Sequence, residues 1–118
     1  MNLQTLEEIC MSCKGTQQDI KWEEHLCFVI GEKMYCMTNL NPPFHVSLKA
    51  SPEDFVELTQ REGIIPAPYL ARGGWVQVQE PNALSHKEWE RLLKNAYALV
   101  FKKLTKKLQK EILEATPL

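Results

Sequence analysis

The sequence predicts an α+β fold, a two-layer sandwich whose antiparallel sheet carries its helices on one face. Three observations predict it. Short runs of alternating polarity joined by tight turns read as antiparallel strands. Longer stretches with apolar residues at helical spacing read as amphipathic helices. The chain has 118 residues, 44% hydrophobic and 25% charged, which is enough for one domain (1–118) and one core. The expected order is helix, four strands, helix, strand, then one or two helices.

The first helix is expected from Leu3 to Lys14, because Leu3, Leu6, Ile9, Cys10 and Cys13 form one apolar stripe. Gly15 stops it. Asp19 to Glu24 is a weak strand. Leu26 to Ile30 is a strong one, and Met34 to Asn39 follows. Gly31-Glu32-Lys33 between them has hairpin chemistry. Asn41-Pro42-Pro43 breaks the chain. Phe44 to Lys49 alternates with Phe44, Val46 and Leu48 on the buried side.

Ser51-Pro52-Glu53-Asp54 starts the second helix: Ser caps, Pro fits the first helical position, and the acids suit the positive end of the dipole. Gly63 closes it. Ile64 to Arg72 holds two prolines and reads as an irregular apolar segment. Gly73-Gly74 leads into a strand from Trp75 to Gln79. Ser85-His86-Lys87-Glu88 is a capping box, and Trp89, Leu92, Leu93, Ala96, Tyr97, Val100 and Leu104 keep the helical period behind it. Leu108 and Ile112 continue the stripe, with Thr105 as a candidate cap for a separate helix.

The longest clean apolar run, Leu26 to Ile30, is far too short for a bilayer span. The acidic start, with Glu7 and Glu8, is not that of a signal peptide. A cytoplasmic protein is expected, with reduced thiols at Cys10, Cys13, Cys27 and Cys36.

Fourteen Lys and Arg against fifteen Asp and Glu give a net charge of −1. Overall attraction to nucleic acid is therefore not expected. The distribution is uneven. Arg91, Lys94, Lys102, Lys103, Lys106, Lys107 and Lys110 form a stretch of +7 without an acid, while the other seven bases and all fifteen acids leave the remainder at −8. In one continuous helix Lys103, Lys106, Lys107 and Lys110 share a face, away from Leu104, Leu108 and Ile112. That face reads either as a surface for successive phosphates or as a solvated face that complements the helix dipole. Lys49, Arg72 and Trp75 are a second candidate, since a Trp beside two cations suits stacking on a base; the competing reading is a core Trp.

Cys10-Met11-Ser12-Cys13 has the spacing of a metal or redox pair. Both thiols lie on the apolar stripe near a helix C-terminus, however, where a thiolate is disfavoured and Cys acts as a small hydrophobe. No metal and no cofactor are expected. Glu7 and Glu8 read as dipole partners in a first helical turn rather than as iron ligands. His25, His45 and His86 have no partner at catalytic spacing, and no nucleophile motif or phosphate loop is present.

Several segments resemble the MmcQ/YjbR family. Residues Trp22 to Tyr35 are similar to its first hairpin, Val46 to Glu53 to its strand-to-helix junction, and Gly63 to Leu70 with Trp75-Val76 to its loop and last strand. Asn95 to Val100 and Leu104 to Lys107 resemble its final helices. In this chain Asn95-Ala96 stands where the family more often has a Ser beside the Tyr. The resemblance implies a fold like that of CyaY, the bacterial frataxin homologue. It also implies DNA binding, since members are described as DNA-binding proteins with a double-wing arrangement.

The expectation is a non-enzymatic, monomeric DNA-binding protein with no membrane contact. Its contacts would be electrostatic and weakly sequence-specific, through Lys102, Lys103, Lys106, Lys107 and Lys110, with Lys49, Arg72 and Trp75 as secondary residues. The alternative is a module that binds an unidentified protein or small ligand through the sheet face and the 64–75 loop.

Overall fold

Asn2 opens the first helix, its side chain accepting from the Thr5 amide at 2.8 Å. In the computed structural model, which describes residues 1–115, α1 spans Leu3–Met11. It ends three residues before the expected Lys14. The Ser12 hydroxyl donates to the Ile9 carbonyl at 2.6 Å, and the Cys13 amide turns back to Cys10. Because the helix starts at Leu3, Glu7 and Glu8 sit beyond its first turn, away from the positive end of the dipole where they were expected.

Six strands follow: β1 (Gln17–Lys21), β2 (His25–Ile30), β3 (Lys33–Asn39), β4 (Val46–Lys49), β5 (Ile64–Pro66) and β6 (Trp75–Val78). They form one sheet in the order β1-β2-β3-β4-β6-β5, antiparallel throughout. Strand β1 lies earlier than the expected Asp19 to Glu24, because Trp22 and Glu23 take positive φ in the turn that pairs Lys21 with His25. Gly31 and Glu32 also have positive φ, at 56° and 68°, which matches the two-residue hairpin between Ile30 and Lys33. Strand β5 is an addition to the expected order. Its proline, Pro66, does not exclude it, because an edge strand needs ladder bonds on one side only.

Helices α2 (Pro52–Leu58), α3 (His86–Phe101) and α4 (Lys106–Glu114) complete the fold. Ser51 caps α2, and Ser85 with Glu88 closes the capping box of α3 at 3.2 and 3.0 Å. Leu6, Leu58, Trp89, Leu92 and Leu93 from the helices share one core with Phe28, Cys36, Leu48 and Val76 from the sheet. From β2 across to β5 the alternate positions Cys27, Met37, Ser47, Gln77 and Ile65 face the other way and lie in register. The result is the expected α+β sandwich, with one strand more.

Helix α4 is a separate element. Thr105 caps it by accepting from the Leu108 amide at 3.1 Å. Leu104 and Leu108 rest on Gly31, and Ile112 rests on Gly15 and Ile30. A Cβ on Gly31 would lie 2.8 Å from Leu104, and one on Gly15 would lie 2.7 Å from Ile112. The close approach of α4 therefore depends on both glycines.

Candidate functional site

Antiparallel pairing gathers the ends of β2 and β4 and the beginnings of β3 and β6 at one end of the sheet. Lys49 ends β4 there, opposite Trp75. The 67–74 loop and the corner between α3 and α4 close over the same end.

Gln109 holds that corner. Its Nε2 donates to the carbonyls of Phe101, Lys102 and Leu104 at 3.1, 3.3 and 3.0 Å, satisfying groups that the end of α3 leaves open. Lys14 Nζ donates to the Leu113 carbonyl at 2.6 Å and ties down the far end of α4. With its apolar stripe docked, α4 turns Lys106, Lys107 and Lys110 to solvent. Lys110 lies 3.9 Å from Glu114; Lys102, Lys103, Lys106 and Lys107 make no ion pair among the described residues.

The break at Thr105 corrects the continuous lysine face. Lys102 is the C-cap of α3 and Lys103 follows it in the turn, so neither shares a helix with Lys106. Arg91 also leaves the basic run electrostatically, because its guanidinium donates to both oxygens of Asp54 at 3.1 and 3.2 Å.

Lys103 faces Lys49 instead. The two line a groove of about 520 Å³ together with Arg72. Lys49 Nζ donates to the Gly73 carbonyl at 2.7 Å. Burial lowers the Lys49 pKa below the usual lysine range, and the neighbouring Lys103 lowers it further. The apolar part of the groove comes from Phe55 and Val56 of α2 and from Leu99 of α3.

Trp75 does not serve as a stacking platform. It is only 7% exposed, held in β6 with its ring against Gly73, so no face is open to a base. The exposed aromatic of this end is Tyr69, which the sequence reading did not single out. It is fully exposed at φ 66°, in a turn closed by the Leu70 amide on the Ala67 carbonyl at 3.1 Å. The available signal was Pro68, which favours the second position of such a turn and places Tyr69 at the third.

All four cysteines are buried and unbridged. Burial pushes the thiols of Cys13, Cys27 and Cys36 up, so they stay protonated. Among the described residues no group of three or more His, Cys, Asp or Glu side chains is placed to hold a metal ion. None of the helices there is long and apolar enough to cross a membrane. His86 pairs with Glu90 at 2.7 Å.

The family model named YjbR matches residues 11–99. The chain belongs to the YjbR family. No curated protein matches this YjbR chain. Among solved structures it is similar to the Deinococcus radiodurans protein DR2400, which carries a DUF419 domain. The two share 28% identity over 99% of this chain and 91% of that one, with a TM-score of 0.86. A Pseudomonas syringae protein, 24% identical over 84% of this chain and 98% of its own, has the same fold at a TM-score of 0.67. Lys49 and Arg72 lie inside the segment that matches the YjbR model; the lysines from 102 onward lie past it.

Proposed function

We propose that this YjbR protein is a non-enzymatic DNA-binding protein that engages phosphates with its basic end and reads little sequence. It would act as a monomer in the cytoplasm, where buried unbridged thiols are stable. The observation that carries this reading is the position of Lys106 and Lys107. They occupy the first turn of α4, the end of a helix where the dipole disfavours cations. Dipole complementarity therefore accounts for Lys102 and Lys103 beyond the end of α3, but not for these two. A cost accepted at a docked, capped helix is consistent with an anionic partner. Phosphate contacts of this kind fix position and carry no base information. Tyr69 adds an exposed ring at the same end on which an unpaired base could stack.

Fluorescence anisotropy of a labelled duplex at low salt tests the proposal. Replacing Lys106 and Lys107 by Gln should weaken binding, whereas Lys21→Gln, on the far side of the sheet from α4, should not. Equal loss from both substitutions would reduce the effect to net charge.

A further inference from the structure

We propose that the groove between Lys49, Arg72 and Lys103 is a binding site for an organic phosphomonoester, a dianionic head with one apolar or aromatic body. The site is independent of duplex binding by α4.

Two lysines face each other across the groove, and among the described residues no carboxylate lines it to offset them. The neighbouring arginines differ. Arg61 is held by Glu57 and Glu88, and Arg91 by Asp54. Lys49 spends one donor on Gly73 and keeps two. Lys103 and the Arg72 guanidinium add further donors, and a guanidinium can grip two phosphate oxygens at once. A dianion placed among them relieves the repulsion between the lysines, which a neutral ligand would not. Beside the cations the wall is apolar: Phe55, Leu99, and Val56, which is 58% exposed without covering side chains. A volume of about 520 Å³ suits a small organic ligand rather than a bare ion. It does not suit a diester backbone, which carries one charge per phosphate and a substituent on both sides.

The test is a titration of the full chain with phenyl phosphate, followed by amide chemical shifts. Shifts are expected at Gly73, Gly74 and Leu99, with weaker binding of inorganic phosphate and none of phenol. Lys103→Gln should lower the affinity about tenfold or more, the value of a lost charged hydrogen bond. Arg72→Gln, on an exposed side chain outside the core, should also lower it, and Lys21→Gln, at the opposite end of the sheet, should leave it unchanged. Shifts centred on Lys106 and Lys107, an unchanged affinity in Lys103→Gln, or equal binding of inorganic phosphate would overturn the proposal. Competition separates two sources of the head group. Displacement by a 5′-phosphorylated oligonucleotide but not by its unphosphorylated counterpart assigns the site to strand ends, and displacement by neither assigns it to small metabolites. Displacement by both would overturn it, because the groove would then read the diester backbone.

Discussion

Lys49 donates to the Gly73 carbonyl at 2.7 Å, so the last residue of β4 anchors the loop that carries Arg72. The same ammonium faces Lys103, and its pKa is lowered by burial first and by that charge second. A lysine whose folded pKa lies below its unfolded value favours folding only in the neutral form. Its charge therefore opposes folding at neutral pH and below, and that opposition fades as pH rises through the lysine range. Lys103→Gln should move the Lys49 pKa upward and leave the denaturation midpoint unchanged or slightly raised. NMR titration of the Lys49 side chain checks the first outcome and urea unfolding the second. A midpoint lowered by the substitution would mean that Lys103 makes a stabilising contact.

Tyr69 is expected to trade stability for exposure. A bulky residue at φ 66° stores backbone strain, which Gly relieves. Tyr69→Gly should raise stability by about 1 kcal/mol. If the ring stacks on bases, the same variant should bind single-stranded DNA less tightly. Urea unfolding and anisotropy measure the two effects separately.

Glu88 joins α3 to Arg61, which follows α2 and pairs back to Glu57. Its carboxylate lies 2.8 Å from Arg61 Nη2 and also accepts from the Ser85 amide at 3.0 Å. Arg61 first, and the Ser85 amide second, hold the Glu88 pKa down at about 2, from an ordinary 4.5. The folded pKa is depressed, so the stabilisation is present above the unfolded value and is lost as pH falls through the acid range toward 2. Glu88→Gln should cost about 1 kcal/mol at neutral pH, since it weakens a cap and an exposed ion pair. It should also flatten the decline of stability with acid. An identical acid profile in the variant would exclude Glu88 as its source.

Thr105 decides where the lysines point. Thr105→Ala removes the acceptor of the Leu108 amide and should loosen α4 by about 1 kcal/mol. Hydrogen exchange should quicken within residues 106–114 and stay slow in α3. Faster exchange in both helices would show that α4 is part of the global unfolding unit.

Caps made the helices legible in the sequence. Ser51, Ser85 and Thr105 each bond an amide three residues ahead, and that chemistry is local. Strand β5 was not legible, because only its pairing with β6 reveals it and one of its three residues is Pro66. The site divided in the same way. Lys106, Lys107 and Lys110 were recognisable from their spacing. The meeting of Lys49 with Lys103, 54 positions apart in the sequence, depends on the turn at the end of α3. Trp75 was open to both a stacking and a core reading, and strand pairing decides for the core; Tyr69 was not singled out, because its exposure follows from a turn.

The most direct test of DNA binding by the basic end is the dependence of duplex affinity on salt. If Lys102, Lys106, Lys107 and Lys110 each neutralise one phosphate, the logarithm of the binding constant should fall with the logarithm of salt at a slope of about −3.6. Replacing Lys106, Lys107 and Lys110 by Gln removes three contacts and should leave a slope of about −0.9 with the fold intact. An unchanged slope in the variant, or no duplex binding even at low salt, would contradict the account.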